Sequence, residues 1–130
     1  MMNINVNGNE YKIEFSFGAA ECKEIVQKMF SVVNGSYLLA QTDKSVAQAS
    51  FDGLANMTAD VPEICILAIY AGCIDNNPVT MNEAKKLTRA YITEKRKIDK
   101  SYGYRTLFEE IKKAMEDDGF FELSGITTML

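Results

Sequence analysis

Histidine is absent from the 130 residues, which removes the commonest general base of enzymes and the commonest metal ligand. The eight glycines stand singly among predicted turns and helix ends, so neither usual glycine-rich phosphate loop is present. Glu116-Asp117-Asp118 is an acidic run, but consecutive helical side chains point in different directions, which favours a solvated helix end. The sequence therefore predicts a protein that is not an enzyme, with no catalytic residue, no cofactor and no metal site.

Cysteine is also scarce. The three cysteines are Cys22, Cys65 and Cys73, an odd number, and each lies in an apolar segment. The first residues, MMNINVNG, lack the charged and apolar regions of a signal peptide. Free, buried thiols in a reducing cytoplasm follow from this pattern. A cysteine nucleophile would need activation by a lysine or a helix N-terminus, and the apolar neighbours of Cys65 oppose its ionisation.

Long apolar runs are missing too. The longest covers residues 64–74, eleven in number, whereas a membrane-spanning helix needs about 20, so it predicts a buried helix. Hydrophobic residues make up 47% and charged residues 25% of the chain, the ordinary range for one folded domain over 1–130.

Residues 2–17 predict a β-hairpin, because apolar and polar side chains alternate there. The turn has two candidate centres, Asn7-Gly8 and Gly8-Asn9. The second is preferred here because it pairs Val6 with Tyr11 and Ile4 with Ile13, whereas the first pairs Val6 with Asn9.

The rest of the chain predicts helices. Helical spacing covers 19–33, with Asn34-Gly35 as its end, and less clearly 36–60. Residues 60–63 (Asp-Val-Pro-Glu) predict the start of the apolar helix. Capping boxes at Thr80 and Thr106 predict two further helices, joined by a polar connector over 95–104. The fold class is therefore α+β, mainly helical: an N-terminal β-hairpin packed on about five α-helices. The helical body covers 19–118, and an apolar tail covers 119–130.

Charge is segregated along the chain, whose net charge is −4. Residues 1–84 carry four basic and ten acidic groups, residues 85–105 carry eight and two, and residues 106–130 carry two and six. The basic band has three interpretations: a solvated helix face, a surface for nucleic acid phosphates, or a contact with an acidic band of another subunit. The acidic overall balance argues against nucleic acid. A contact between subunits predicts a homo-oligomer, in rings or open arrays.

Two further segments are candidate contact surfaces. One is the edge of the hairpin, and the other is the C-terminal tail, where Phe120 and Phe121 are expected in the core. The candidate residues for protein contact, including three from the basic band, are Ile4, Val6, Lys95, Arg96, Lys97, Met129 and Leu130.

Three stretches together resemble a known family. They are residues 3–30 (NINVNGNEYKIEFSFGAAECKEIVQKMF), 59–72 (ADVPEICILAIYAG) and 107–125 (LFEEIKKAMEDDGFFELSG). In order and content they resemble the small tail assembly chaperones of long-tailed bacteriophages and prophages of Gram-positive bacteria. Residues 95–104 have no counterpart in that pattern.

The resemblance implies a non-catalytic chaperone in the cytoplasm of the bacterial host that is absent from the mature virion. Such proteins bind the tape measure protein, keep it soluble while tail tube protein assembles around it, and self-associate. Some are also made in a longer, frameshifted form. The alternative function is a small nucleic-acid-binding regulator that uses residues 85–105, and no membrane partner is expected.

Overall fold

A hairpin and six helices make up the described part of the chain, which is mainly helical. The computed structural model describes residues 1–34 and 46–126, with the backbone alone for 46–53. The strands are β1 (Met2–Val6) and β2 (Asn9–Ile13). The helices are α1 (Phe17–Ala20), α2 (Lys23–Val33), α3 (Val46–Cys73), α4 (Met81–Arg96), α5 (Tyr104–Asp117) and α6 (Phe120–Ser124). The predicted class, a hairpin packed on helices, is confirmed.

The predicted turn of the hairpin is wrong. The strands pair with Ile4 opposite Tyr11 and Val6 opposite Asn9, so the turn is Asn7-Gly8. Both turn residues have positive φ, 52° for Asn7 and 79° for Gly8, which matches the right-handed twist of the strands. The two registers differ by two residues and therefore bury the same side chains, so only the turn chemistry separates them. Val6 is buried even though it pairs with Asn9.

The exit from the hairpin also departs from the prediction. β2 ends at Ile13 rather than continuing to Phe17, and Phe17 begins α1 with its side chain 67% exposed. The carboxylate of Asp75 accepts hydrogen bonds from the Ser16 hydroxyl (2.7 Å) and the Gly18 N–H (3.0 Å). These bonds satisfy the first turn of α1 from a distant part of the chain. The single helix predicted over 19–33 is instead two, because Cys22 has an extended backbone (ψ 100°).

The predicted helix start at Asp60 is wrong as well. α3 runs without a break from Val46 to Cys73 and contains Pro62. Proline has no N–H, so the carbonyl of Thr58 loses its intrahelical donor, but Thr58 is exposed and water can replace that bond. Helix over 46–60 is confirmed, and the predicted residues 36–45, with Gly35, lie outside the described residues.

α3 is the centre of the fold. It packs against β2, α1, α2, α4 and α5, as the apolar run predicted. The residues of α3 that are buried in the core are Val61, Ile64, Cys65, Leu67, Ala68, Ile69, Ala71 and Cys73. The stretch Leu54–Cys73 has the length and mean hydropathy (1.3) of a membrane span. Those features are weak evidence of a membrane span, because the core helix of a globular protein shares them, and 39% of the stretch is buried in this structure.

α4 and α5 frame this centre. The predicted capping box at Thr80 is confirmed: its hydroxyl accepts from the Glu83 N–H (3.1 Å), and the Glu83 carboxylate accepts from the Thr80 N–H (3.0 Å). The box predicted at Thr106 is wrong, because α5 begins two residues earlier. The Thr106 hydroxyl instead accepts from the N–H of Gly103 (3.4 Å). Helical spacing in the sequence predicts an inner face for this helix, and the prediction is confirmed because all its members are buried: Leu107, Phe108, Ile111, Ala114 and Met115.

The tail folds back on the body as α6, which follows a left-handed Gly119 (φ 75°). Phe120 is fully buried and meets Phe15 edge-to-face, with ring centroids 6.3 Å apart. Phe121 is half-buried against the core. Core packing of both aromatic residues is therefore confirmed, completely for Phe120 and in part for Phe121.

Gly72 lets the hairpin reach the central helix. A Cβ atom at Gly72 would lie 2.4 Å from Cγ2 of Ile13 and 3.1 Å from Cε1 of Phe15. The same backbone accepts a hydrogen bond from the Glu14 N–H to the Gly72 carbonyl (2.9 Å). A larger residue would separate the end of β2 from α3 and lengthen that bond.

We expect Gly72→Ala to lower the free energy of unfolding. Overpacking costs about 1–3 kcal/mol, and the better helix propensity of alanine returns at most about 1 kcal/mol. Denaturant unfolding should therefore show a net loss of about 1–2 kcal/mol. Gly103→Ala is the matched control, because a Cβ there meets nothing within 4 Å. Equal stability of the two variants would contradict the close approach.

Candidate functional site

A groove of about 860 Å³ lies between α2 and α4 with α3 as its floor. Its lining residues come from four elements: Glu24, Gln27, Lys28, Ser31, Ala59, Pro62, Glu63, Ile66, Leu67, Met81, Lys85, Arg89 and Tyr104. A smaller depression of about 300 Å³ shares Pro62 and Tyr104 with it and continues toward Arg105. Together they form an open surface channel along the first half of the apolar part of α3.

The floor of the groove is apolar because α3 is apolar nearly all round. Ile64, Ala68 and Ile69 are fully buried in the core, while Pro62 and Ile66 are half-buried and face the groove. Met81, at the first turn of α4, adds a flexible side chain that is 44% exposed. An apolar floor between two helices is the form used by sites that receive a helix or a bulky apolar side chain of a partner.

The rim of the groove is charged, and the two sides differ. Lys85 and Arg89 stand one turn apart on α4, and both are exposed. Neither makes an ion pair with any residue of the described ranges 1–34 and 46–126. Glu24 and Lys28 on α2, with Glu63 on α3, supply the other charges. The α4 side of the groove is therefore a basic wall available to an acidic partner.

The predicted contact residues Lys95, Arg96 and Lys97 are exposed at the end of α4, but each is engaged within the chain. The ammonium of Lys95 lies 5.4 Å from the centre of the Tyr91 ring. Arg96 donates from Nη1 to the carbonyl of Tyr102 (2.8 Å). Lys97 pairs with Glu94 (2.9 Å). Of these contacts, the bond from Arg96 holds the connector to α4. The cations of the basic band without such a contact in the described residues are Lys85, Lys86 and Arg89 on α4 and Lys100 in the connector.

The side chains of Ile4 and Val6 are buried, at 0% and 7% exposure, on the face of the hairpin that meets α4. They are therefore not side-chain contact residues for a partner, which corrects the prediction for those two positions. The backbone edge remains. Each strand of this two-stranded sheet has one outer edge. The outer edge of β2 is covered in part, because the Lys12 N–H donates to Oδ1 of Asn77 (2.9 Å).

Met129 and Leu130 lie outside the described residues, as does the end of the tail from residue 127.

A second surface carries exposed apolar side chains, and we call it the acidic end. It is formed by α1 and α6, which pack against each other. Phe17 is 67% and Leu123 is 45% exposed. The exposed Glu21 follows Phe17 by four residues, and the exposed Glu122 adjoins Leu123 in sequence. Neither 17–22 nor 120–126 contains a basic residue. The sequence does not predict this surface. In a strand that continued to residue 17, Phe17 would share the buried face of Phe15. Because β2 ends at Ile13, Phe17 instead begins α1 and is exposed.

The cysteines are free, as predicted, with Cys65 and Cys73 buried and Cys22 half-buried. Burial raises the pKa of Cys65 to about 12 and that of Cys73 to about 11. The Cys65 thiol contacts the carbonyl of Tyr104 (3.5 Å). Within the described ranges no three histidine, cysteine or acidic side chains group as a metal site would require.

A buried polar cluster closes the side of the molecule next to the connector. The hydroxyls of Tyr91 and Tyr102 both donate to Oε2 of Glu110, at 3.2 Å and 3.0 Å. Burial, followed by the charge of Glu110, raises the pKa of Tyr91 to about 12. Burial also raises the pKa of Tyr102, with Tyr91 and Glu110 adding to it. The cluster holds the connector in position. None of its three residues lines the groove, although Tyr104, two residues after Tyr102, does.

We expect alkylation near pH 8 to modify Cys22 first. A pKa of about 12 instead of 9.0 leaves Cys65 with a thiolate fraction about 1000-fold below that of a free thiol, and a pKa of about 11 leaves Cys73 about 100-fold below it. Mass spectrometry after timed alkylation measures the order. All three cysteines should react alike in denaturant. Faster reaction of Cys65 than of Cys22 in the native protein would instead indicate an activated thiol.

We expect Tyr91 and Tyr102 to ionise after the tyrosines whose hydroxyls reach water. Because their folded pKa values lie above the ordinary value near 10, the stability they contribute is present below about pH 10. It is lost as the pH rises from there through about 12. Ultraviolet titration of the six tyrosines and denaturant midpoints across this range are the measurements. Tyr91→Phe should remove one late group, and a single titration step near pH 10 in the folded protein would contradict the cluster.

Comparison of the chain with protein-family models, with curated proteins and with solved structures finds no match. The function is therefore inferred from the residues of this chain and from the surfaces that they form.

Proposed function

We propose that the chain is a non-catalytic tail assembly chaperone of a long-tailed bacteriophage or prophage. In this role it binds the tape measure protein in the host cytoplasm, keeps it soluble, helps to recruit tail tube protein and self-associates. The single observation that carries the proposal is the groove between α2 and α4, which has an apolar floor and a charged rim. That combination suits reversible docking of protein segments.

The packing of the resembling stretches supports the same proposal. Residues 3–30 form the hairpin, α1 and most of α2, residues 59–72 form the apolar part of α3, and residues 107–125 form most of α5 with α6. All three supply residues to one buried core. The part without counterpart in the family pattern, 95–104, is a surface connector. The resemblance therefore follows the residues that build the fold.

The alternative, a nucleic-acid-binding regulator that uses residues 85–105, has less support. Arg96 and Lys97 are bound to groups of the same chain, and Arg105 pairs with Glu109 (3.3 Å). Lys95 lies over an aromatic ring. Phosphate recognition needs several available cations on one face. Of the four in the described band without such a contact (Lys85, Lys86, Arg89 and Lys100), Lys85 and Arg89 stand beside an apolar floor.

We expect co-expression to keep a tape measure protein soluble. The client is the tape measure protein of the same phage or prophage genome, expressed with a purification tag, with and without this chain. An apolar helical client exposed in the cytosol aggregates unless its surface is covered, so its soluble fraction should rise several-fold with the chain present. The chain should also co-purify with the tag.

The control for this experiment is the Gly72→Ala variant, which retains every surface residue but has a weaker fold. If the client is soluble with the wild-type chain but insoluble with Gly72→Ala, the loss reflects the lower folding stability of the variant. A client that stays insoluble with the folded wild-type chain would contradict the chaperone proposal. Binding of a DNA fragment that weakens steeply with added salt would support the alternative.

A further inference from the structure

We infer that the groove between α2 and α4 receives the acidic end, formed by α1 and α6, of a second copy of this chain. The inference rests on the self-association in the proposed function and assigns it two surfaces. One copy would offer its basic wall and apolar floor, and the next would offer its exposed apolar side chains and their flanking carboxylates.

The apolar parts of the two surfaces match in kind. The groove is open and apolar at Pro62, Ile66 and Met81, and the acidic end presents Phe17 and Leu123 at 67% and 45% exposure. The two side chains lie on α1 and α6, which pack against each other, and exposed apolar side chains on neighbouring elements suit a partner site. Insertion of Phe17 or Leu123 above α3 would remove apolar surface from water on both copies.

The charges match in sign. Lys85 and Arg89 form the basic wall without an ion-pair partner in the described ranges. Glu21 and Glu122 are exposed carboxylates that likewise make no ion pair there. Glu21 and Glu122 of one copy can therefore supply the ion pairs that Lys85 and Arg89 of another lack, on the α4 side of a groove whose opposite side carries Glu24 and Glu63.

The two surfaces have different residues and lie on different elements. The groove is bounded by α2, α3 and α4, and the acidic end by α1 and α6. A contact between unlike surfaces leaves each copy with one free groove and one free acidic end. Such a heterologous contact continues into chains or rings rather than stopping at a dimer.

The test uses a variant of each surface, measured by light scattering after size exclusion over a range of concentrations. The groove variant is Lys85→Glu with Arg89→Glu, and the end variant is Glu122→Lys with Leu123→Ser. All four side chains are exposed, so the folds should remain intact, which circular dichroism and thermal unfolding verify. The charge-matched controls are Lys12→Glu with Lys100→Glu for the groove variant and Glu10→Lys for the end variant.

The expected wild-type mass exceeds 14.5 kDa, grows with concentration and falls as salt rises, because exposed charges are screened. Each surface variant alone should stay at the mass of one chain, while the controls assemble like the wild type. An equal mixture of the groove and end variants should form a species of twice the chain mass and nothing larger. Such a mixture retains one intact groove and one intact end per pair.

Four results would overturn the inference. If either surface variant assembles like the wild type, the assigned surfaces are wrong while self-association stands. If the mixture stays monomeric, the two surfaces do not bind each other. If the groove variant assembles normally but no longer keeps the tape measure protein soluble, the groove belongs to the client, and the proposed chaperone function is supported without this contact. A wild-type chain that is monomeric at every concentration would refute self-association itself, whereas the co-expression experiment tests client binding separately.

Discussion

The approach of the hairpin to α3 at Gly72 is the constraint on which the rest of the structure depends. With no side chain on that residue, Ile13 and Phe15 lie directly against the helix backbone, and the Glu14 N–H reaches the Gly72 carbonyl. The exit of the hairpin is then fixed close to the end of α3. Asp75, just beyond that end, caps α1 through Ser16 and Gly18. The position of α1, which begins at the exposed Phe17, rests on the early end of β2, the close approach at Gly72 and the bonds from Asp75.

Sequence patterns predicted which side chains are buried better than they predicted how the chain runs between them. The inner face of α5 and the capping box at Thr80 were correct because each depends on residues within one or two turns. The hairpin register was wrong because two registers that differ by two residues bury the same face, and the deciding factor was the positive φ of Asn7 and Gly8. The start of α3 was wrong because the cost of Pro62, about 3 kcal/mol in a helix interior, is offset by burial on both sides of it, at Val61 and Ile64.

The groove was beyond the reach of sequence reasoning for a different reason. Its lining combines residues 24–31, 59–67 and 81–89, and no local pattern places these three segments side by side. Charge counting identified a basic band over 85–105, and the structure divides that band by role. Arg96 and Lys97 secure the connector, while Lys85 and Arg89 face the groove. Only the packing of α4 on α3 distinguishes a cation that completes the fold from one that remains available.

The two cations of α4 that face the groove, Lys85 and Arg89, have a small energetic cost. Two cations one turn apart repel each other by a few tenths of a kcal/mol, and a glutamate in place of either would remove that cost. Pairs of a cation and a carboxylate at this spacing of four residues occur elsewhere in the chain, between Arg105 and Glu109 and between Lys113 and Asp117. Lys85 and Arg89 lack this compensation although the helix could provide it. In the proposed contact, carboxylates of a second copy would offset this repulsion at the rim of the groove. The isolated chain and the proposed assembly would therefore favour different arrangements of charge on α4.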